Sequence, residues 1–383
     1  MEYLGYKRID GSFGVRNHVL IMSVSDLSSF AARQVSSMVK NTIAAAPSFG
    51  RCQIGLDAEQ HKKTLIGLGK NPNVFGVVLI SLEITSARQI ADEISVFGKP
   101  VEVVTFQDDG GTINAIAKAV RYAKRMVIEA SKQQRERAAV KHLILGTECG
   151  GSDTTSGSFT NPAIGNAVDR FILEGASAIL SETAEWIGAE EHLCRRCASP
   201  EIAEKIMNAI RFYEDYVAST GESFRGANPT PDNMRGGLTT IREKALGSVK
   251  KGGNTTINEF IFCGERPVKH GLILMDAPAA GVENTTALAA AGCSLILFST
   301  GVGNAIGNPI VPTIKISANN RTAVSNADNM DIPLSYMIEQ DVSIETAGEN
   351  LTKQVLEYAN GKLTASEVLG TVDISISRFG YTV

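Results

Sequence analysis

The sequence predicts an α/β fold in which parallel β-sheets are covered by helices on both faces. Three features of the 383-residue chain support this prediction. Apolar runs of strand length recur along the chain, turns rich in Gly, Ser or Asp follow them, and amphipathic stretches follow many of the turns. Continuous apolar strands separated by helices are typical of parallel sheets, because such strands are buried on both faces.

The first part of the chain contains three strand–helix pairs. In chain order we expect a strand at His18–Val24, a helix at Phe30–Lys40, a strand at Val74–Leu82, a helix at Ser86–Val96, a strand at Val101–Phe106 and a helix from Thr112 to Gln134. The polar segment Ser131–Arg137 follows, and we interpret it as the end of the long helix and as a domain boundary. A solvated helix face without a boundary is the alternative interpretation.

After this segment the strand pattern restarts. Buried strands are expected at His142–Thr147, Ala176–Leu180, Gly271–Met275, Ser294–Ser299 and Thr313–Ile316. Pro200–Ser219 carries apolar residues at helical spacing along one face, which predicts a helix. We therefore predict two parallel-sheet, Rossmann-like α/β units with helices on both faces, an N-terminal domain of residues 1–138 and a C-terminal domain of residues 139–383.

The composition excludes several classes of protein. The 37 basic and 41 acidic side chains give a net charge of −4, so we expect no nucleic-acid binding, which needs clustered positive charge. The longest apolar runs are strand-sized and the N-terminal residues lack a signal-peptide pattern, so we expect no membrane association. Six cysteines in a chain of this length are too few for a disulfide framework, which favours a cytoplasmic location.

The most informative loop covers residues 146–165, between a predicted strand and a predicted helix start at Thr160–Pro162. Ligands of doubly wound sheets bind at the carboxyl ends of strands, where this loop lies. The backbone amides of Gly150 and Gly151 could bind an anion there, assisted by the helix dipole.

The same loop contains Glu148, Cys149 and Asp153 within six residues. Carboxylates and a thiol are possible metal ligands or acid–base groups, so the loop is a candidate catalytic centre. A flexible turn with a buried cysteine is the alternative.

A second glycine-rich loop, Ser299–Pro309, also follows a predicted strand. Its spacing is G-x-G-x-x-x-G and Pro309 prevents a regular helix, so it does not match a dinucleotide-binding fingerprint. This argues against a nicotinamide dehydrogenase. A loop that binds a substrate hydroxyl or carboxylate is favoured over a plain turn.

Two further segments carry polar groups. In Asp10–His18, Arg16 could hold a carboxylate bidentately, and Asn17 and His18 are potential ligands or proton carriers; a strand start with surface charges is the alternative. Ser181–Glu185 places two carboxylates after another predicted strand.

The lone Cys194-x-x-Cys197 motif has no partner pair at zinc-site spacing, so cysteines that serve packing are favoured there.

Many of these segments together resemble the altronate/D-galactarate dehydratase family. The matching segments are Gly5–His18, Glu148–Asp153, Ser156–Gly157, Asn161–Gly165, Leu180–Thr183, Gly236–Thr240, Glu243–Lys244, Lys251–Gly253, Met275–Pro278 and Pro309–Lys315. They cover nearly the whole chain in order, and the Glu-Cys-Gly-Gly-Ser-Asp motif with Asn-Pro-Ala-Ile-Gly is the most specific part.

The resemblance implies a lyase. Members of the family remove water from a sugar acid, such as altronate or galactarate, to give a 2-keto-3-deoxy acid, and typically use Fe²⁺ or a similar divalent ion. A related branch, the large subunit of (2R)-sulfolactate sulfo-lyase, releases sulfite instead. A non-catalytic relative that binds a sugar acid is a third possibility. All the substrates are 2-hydroxy acids.

This chemistry needs a base for the proton next to the carboxylate, stabilisation of the enediolate, and an acid for a leaving hydroxide. For proton transfer the resemblance and the loops suggest Glu148, Asp153 and His18. For metal binding they suggest Cys149, Glu148, Asp153 and, more weakly, Cys52. The candidate substrate-binding residues are Arg16, Asn17, Gly150, Gly151, Ser152, Ser156, Asn161, Glu182, Thr300 and Lys315.

The chain also departs from the family pattern. Relatives often carry cysteine where this chain has Ser25–Asp26, Leu82–Glu83 and Asn308. Oxygen ligands in place of thiolates would favour Mg²⁺ or Mn²⁺ over Fe²⁺. Dehydratases of the family often carry a small β-rich domain ahead of the region that matches here. We therefore expect a small β-rich partner subunit, and we also expect a homo-oligomer.

Overall fold

The computed structural model of the protein describes residues 1–224 and 228–383. The strands are β1 (Glu2–Lys7), β2 (Phe13–Gly14), β3 (His18–Ser23), β4 (Thr42–Ala45), β5 (Val74–Ser81), β6 (Val101–Thr105), β7 (Glu136–Ala139), β8 (Ile144–Cys149), β9 (Ser177–Leu180), β10 (Ile257–Phe262), β11 (Gly271–Asp276), β12 (Leu295–Ser299), β13 (Thr313–Ser317) and β14 (Ile332–Pro333).

The helices are α1 (Asp26–Met38), α2 (Gly55–Lys70), α3 (Ile84–Ser95), α4 (Thr112–Ala130), α5 (Asn161–Leu173), α6 (Glu190–Cys194), α7 (Pro200–Ser219), α8 (Pro231–Arg235), α9 (Ile241–Ser248), α10 (Gly281–Ala290), α11 (Asn320–Ser325), α12 (Tyr336–Glu339), α13 (Ile344–Ala359) and α14 (Ala365–Leu369). Across the two described ranges, no helix combines the length and the apolar character that crossing a membrane requires.

Two parallel sheets form the centre of the fold, which confirms the α/β prediction. The first has four strands in the order β4-β3-β5-β6, and the second has seven in the order β10-β11-β9-β8-β12-β13-β14. All eight strands predicted from the apolar runs lie in these sheets. The strands are buried because helices cover both faces, which explains why the sequence shows continuous apolar runs.

A third, antiparallel sheet was not predicted. It has the order β2-β1-β7, and β1 pairs with β7 so that Glu2 faces Ala139. The long helix ends at Ala130, and the polar segment after it leads into β7, which spans the predicted boundary between residues 138 and 139. A short edge strand with polar residues lacks the apolar run by which the other strands were recognised.

Helices α2 and α10 show how the two parallel sheets are oriented. Near their ends the helices touch, because a Cβ on Gly67 would lie 2.4 Å from the carbonyl oxygen of Ala290. Near their starts both contact one segment of the C-terminal tail: Gln60 donates to the carbonyl of Ser377, whose hydroxyl donates to Glu283. The two helices therefore run side by side in the same direction. Each helix starts after a strand of its own sheet, and a helix that connects parallel strands runs antiparallel to them. The strands of both sheets therefore point in the same direction, and the carboxyl edges of both sheets face the same side.

Candidate active site

The carboxyl ends of β8 and β9 hold a buried group of ionisable side chains. Cys149 is the last residue of β8, and Glu182 and Glu185 follow β9. The backbone amide of Cys149 donates to Glu182 Oε2 at 3.1 Å, and its thiol donates to Glu185 Oε2 at 2.9 Å. The sulfur and one oxygen of each carboxylate lie within 4.8 Å of one another.

The ammonium group of Lys251 lies among these three side chains. Its Nζ is 2.7 Å from Glu182 Oε2, 3.7 Å from Glu185 Oε2 and 3.3 Å from Cys149 Sγ. It also donates to the hydroxyl of Ser248 at 2.6 Å. The side chain of Lys251 is completely buried, so this cation is held entirely by protein groups.

A second lysine closes the group on its outer side. Lys244 Nζ lies 3.0 Å from Glu185 Oε1, and its side chain is 11% exposed, so the group approaches solvent here. We call these side chains the strand-end cluster: Cys149, Glu182, Glu185, Lys244, Ser248 and Lys251.

Close backbone packing fixes Lys251 in place. The residue lies in the short helical turn Val249–Gly252, which packs against α5. A Cβ on Gly165 of α5 would lie 2.1 Å from the carbonyl oxygen of Lys250, so only glycine allows this approach. Gly253 ends the turn with φ +67°, in the left-handed region that favours glycine. These glycines thus position a lysine that follows Cys149 by 102 residues.

Glu182 is held in an unusual backbone conformation. Its φ is +70°, in the left-handed region, which costs a non-glycine residue about 1–2 kcal/mol. The next residue fixes the segment, because the Thr183 hydroxyl donates to Asp276 Oδ1 at 2.6 Å and accepts from the Ala277 amide at 3.1 Å. The segment after β11 therefore holds the carboxylate of Glu182 over the end of β8.

The charges of the cluster follow from burial and from the two lysines. Burial acts to raise the pKa of Glu185, but Lys244 and Lys251 outweigh it and lower this pKa to about 2. Burial raises the pKa of Glu182 to about 8, although Lys251 opposes this shift. Burial also raises the pKa of the Cys149 thiol well above its usual range. Glu182 is thus the cluster group whose protonation changes closest to neutral pH.

Glu148 lies on the opposite face of β8, since successive side chains of a strand alternate. The side-chain amide of Asn284, in α10, donates to Glu148 Oε2. Burial, reinforced by the charge of Glu182, raises the pKa of Glu148 well above its usual range.

Several buried polar atoms near these strand ends lack a hydrogen-bond partner among the described residues. They are Glu148 Oε1, Ser181 Oγ, Glu182 Oε1, Asn284 Oδ1 and Ser299 Oγ. Buried polar atoms are normally paired, and each unpaired one costs about 1–3 kcal/mol. Their concentration at the carboxyl ends of β8, β9 and β12 and at the start of α10 indicates a place for a polar ligand.

Asp153, a predicted acid–base and metal residue, organises its own loop instead of joining the cluster. Its Oδ1 accepts from the amide of Ser156 at 2.8 Å and from the hydroxyl of Thr155 at 2.7 Å. Its Oδ2 accepts from Asn319 at 2.8 Å. A Cβ on Gly301 would lie 2.1 Å from the carboxyl carbon of Asp153, so the second glycine-rich loop packs directly on this side chain.

The two glycine-rich loops also bind each other through their backbones. The amide of Gly150 donates to the carbonyl of Ser299 at 3.1 Å. The carbonyl of Gly151 accepts from the amides of Gly301 and Val302, both at 2.9 Å. The amide of Gly150, a predicted anion donor, is therefore already used within the protein.

Five other predicted substrate-binding residues lie in or beside these loops, each with a protein partner. Ser152 accepts from Asn233, Ser156 donates to the Asp153 carbonyl, Asn161 donates to the Gly247 carbonyl, Thr300 accepts from the Gly303 amide, and Lys315 donates to the Ile306 carbonyl. Burial lowers the pKa of Lys315 to about 8. Glu182 is the predicted substrate-binding residue that the structure places in the strand-end cluster.

The N-terminal candidates lie elsewhere. His18 begins β3, at the amino edge of its sheet, and burial with the charge of Arg16 lowers its pKa to about 4. Arg16 binds Glu367 through Nε at 2.7 Å and through its second terminal nitrogen at 3.0 Å. Asn17 donates to a backbone carbonyl at the end of α4. Cys52 is exposed and is not part of the group around Cys149. The structure thus does not bring these four residues to the cluster.

Three residues that carry most of the charge of the cluster were not among the predicted site residues: Glu185, Lys244 and Lys251. The sequence did contain signals for them. Glu185 is the second carboxylate after a predicted strand, and both lysines lie in segments that resemble the family. Nothing in the local sequence predicts that these charged side chains are buried. Lys251, for example, is followed by two glycines, a pattern that is typical of an exposed turn.

The donor atoms of Cys149, Glu182 and Glu185 are of the type and spacing that could hold a metal ion. The ammonium of Lys251 already lies against all three of them. A divalent ion bound by these three side chains would have to share the space beside them with this ammonium group. The cluster as it stands therefore fits the lysine and does not fit an additional metal ion.

Comparison with known families accounts for nearly the whole chain. Residues 5–131 match the second domain of D-galactarate dehydratase/altronate hydrolase, and residues 140–382 match the C-terminal domain of D-galactarate/altronate dehydratase. The chain belongs to the D-galactarate/altronate dehydratase family. The resemblance noted in the sequence is thereby confirmed.

The relatives of this chain are named as lyases of more than one kind. The chain is 38% identical to the (2R)-sulfolactate sulfo-lyase subunit beta of Chromohalobacter salexigens, over 98% of this chain and 97% of that one. It is 29% identical to the altronate dehydratase of Bacillus subtilis, over 100% of this chain and 78% of the relative. It is 33% identical to the galactarate dehydratase (L-threo-forming) of Escherichia coli, over 78% of this chain and 59% of the relative.

Proposed function

We propose that this chain is the catalytic component of a lyase that cleaves the bond between C3 of a 2-hydroxy acid and its leaving group. The observation that carries the proposal is the strand-end cluster, which places two carboxylates and two ammonium groups at the carboxyl ends of β8 and β9. This is the edge at which parallel sheets bind ligands. The match to lyases over nearly the full chain supports the same conclusion.

Glu182 is the proposed base. Its pKa of about 8 suits proton removal near neutral pH, and its Oε1 has no partner among the described residues. Removing the proton next to a carboxylate creates an enediolate with additional negative charge. The fixed ammonium groups of Lys244 and Lys251 would stabilise that charge, most strongly in a buried site. Asp153, by its hydrogen bonds, would shape the adjoining loop.

We propose sulfite as the first candidate for the leaving group, with sulfolactate as the substrate. The specific support is the 38% identity to the sulfo-lyase subunit, which extends over 97% of that subunit. Sulfite is a stable anion that can leave without a proton, whereas hydroxide needs an acid to leave as water.

The second candidate is the loss of water from a sugar acid such as altronate or galactarate. The observation that favours it is Glu148, a buried carboxyl group that accepts a hydrogen bond from Asn284 and whose pKa is raised by burial and by the charge of Glu182. Such a group could protonate a leaving hydroxide. The relatives named as dehydratases agree with this candidate.

The predicted cofactor and partners enter this proposal separately. A divalent ion, whether Fe²⁺ from the family resemblance or Mg²⁺ or Mn²⁺ from the missing cysteines, stays a prediction, and no step above depends on it. The name "subunit beta" of the sulfo-lyase relative supports a partner subunit. Cytoplasmic location and homo-oligomer formation likewise stay predictions.

A substrate panel tests the proposal. The purified chain, with and without a candidate small subunit, is incubated with sulfolactate and with several aldonates and aldarates, and sulfite and 2-keto acid are measured in parallel. Sulfite with keto acid supports the first candidate, and keto acid without sulfite supports the second. Binding measured by calorimetry without turnover of any substrate would contradict both and would support a non-catalytic sugar-acid-binding relative.

Two variants separate the roles of the carboxyl groups. Glu182→Gln should lower turnover at least ~10²-fold whichever group leaves, because the base is lost. Glu148→Gln should lower turnover by a similar factor if water leaves and should have a much smaller effect if sulfite leaves. Near-normal turnover of Glu182→Gln would reject the cluster as the centre of proton transfer.

A further inference from the structure

We propose that the ammonium group of Lys251 is the resident cation of the Cys149, Glu182 and Glu185 group, and that a divalent metal ion binds there only when Lys251 is removed. This inference concerns what occupies the site. It does not depend on the substrate or on the proposed lyase reaction.

The first argument is geometric. Metal bonds to thiolate sulfur and carboxylate oxygen are about 2.0–2.3 Å long, so a bound ion would lie in the space between the three donor atoms. Those atoms lie within 4.8 Å of one another. Lys251 Nζ is already 2.7 Å from Glu182, 3.3 Å from Cys149 and 3.7 Å from Glu185. An ion placed among them would overlap with this nitrogen or lose a ligand to it.

The second argument is that Lys251 has no easy way to withdraw. Its side chain is completely buried, and Ser248, three residues earlier, accepts a hydrogen bond from its Nζ at 2.6 Å. The neighbouring residues of its turn are packed tightly as well. A Cβ on Gly252 would lie 2.9 Å from the side chain of Leu180 in β9. Moving the ammonium away would therefore break these polar contacts inside a tightly packed region.

The third argument is charge balance. The cluster contains two carboxyl groups, Glu182 and Glu185, and two ammonium groups, Lys244 and Lys251. Two ammonium groups thus face at most two carboxylates. A divalent ion bound through a Cys149 thiolate would place four positive charges against at most three negative ones. This would leave uncompensated positive charge in a buried place, which is strongly unfavourable. Removing the lysine takes away one positive charge and makes room for an ion at the same time.

The consequence concerns the chemistry of this edge of the sheet. A lysine ammonium can stabilise negative charge on a substrate through its position, but it offers no open coordination position for a substrate oxygen. If this chain uses a divalent ion, that ion is held by residues outside the Cys149, Glu182 and Glu185 group.

Cobalt binding tests the proposal without reference to activity, since Co²⁺ bound by a thiolate gives an intense charge-transfer band in the near ultraviolet. The wild-type chain, treated with a chelator and then with one equivalent of Co²⁺, should show no such band. Lys251→Met should take up about one further equivalent of cobalt and show the band. Adding Cys149→Ser to that variant should abolish the band, whereas adding Cys197→Ser should leave it unchanged.

A cobalt–thiolate band in the wild-type chain that Cys149→Ser removes would overturn the proposal. This comparison needs no substitution of the lysine, so it decides the matter even if Lys251→Met does not fold. A folded Lys251→Met chain that takes up no more cobalt than the wild-type chain would also overturn it. Either result leaves the lyase proposal untouched, because the substrate panel measures that separately.

Discussion

Replacing Glu185 by glutamine should destabilise the fold by about 3 kcal/mol at pH 6. The carboxylate is held by Lys244 at 3.0 Å and Lys251 at 3.7 Å, and it accepts hydrogen bonds from Cys149 and Ser248. These contacts lower its pKa from 4.5 to about 2 in the folded chain. A shift of this size corresponds to about 3 kcal/mol of stability at about 1.4 kcal/mol per pKa unit, and a glutamine side chain would keep the shape without the charge.

The pH dependence of this loss distinguishes the charge from the shape. Because the folded pKa lies below the unfolded one, the contribution is fully present above about pH 4.5 and is lost as the pH falls towards 2. The difference between wild type and Glu185→Gln should therefore shrink to about 2 kcal/mol at pH 3.5 and continue to fall below it.

Urea unfolding followed by fluorescence measures the difference. Trp186, the single tryptophan of the chain, is buried next to Glu185, and its indole donates to the carbonyl of Ser181. Glu349→Gln is the matched control, because Glu349 forms an exposed helical ion pair with Lys353 and should leave the transition unchanged. A Glu185→Gln transition equal to that of the wild type at pH 6, or a difference that does not shrink in acid, would refute the reasoning.

Three other predictions follow from particular residues. The pKa of His18 is about 4 in the folded chain and about 6.5 in the unfolded one, so the wild type should lose up to about 3 kcal/mol of stability as the pH falls from 6.5 to 4. His18→Gln should lack this loss, and equal acid denaturation of both chains would contradict the prediction. Gly165→Ala places a Cβ 2.1 Å from the carbonyl oxygen of Lys250 and should lower the free energy of unfolding, measured by thermal unfolding, by about 1–3 kcal/mol or more. In the control Gly157→Ala the Cβ makes an ordinary 3.4 Å contact, so stability should change little. With Glu182 as the base, kcat/KM should rise with pH to a plateau above about 8, and a profile of the same shape in Glu182→Gln would exclude this role.

The sequence located the edge of the fold where chemistry is expected, because strand ends are marked locally. The apolar runs identified both parallel sheets, and the motif around Cys149 was recognised at the end of what proved to be β8. It did not reveal the antiparallel sheet, since β1 and β7 are short and partly polar. The glycine-rich loops lie at the strand ends, as the sequence predicted. Their glycines were expected to serve ligand binding, but some of them allow close packing of the backbone instead. Gly301, for example, packs so closely on Asp153 that a Cβ there would lie 2.1 Å from the carboxyl carbon.

What the sequence by itself determined is the family, the fold class and two members of the strand-end cluster, Cys149 and Glu182, because motifs and apolar periodicity are properties of neighbouring residues. Only the tertiary structure decided which cation faces Cys149. Lys251 lies 102 residues further along the chain and reaches the thiol because two helical segments meet at glycines. The pKa values of Glu182 and Glu185 likewise depend on the complete fold. Burial raises the pKa of Glu182, and the two lysines lower that of Glu185, only when distant segments of the chain close over these carboxyl groups.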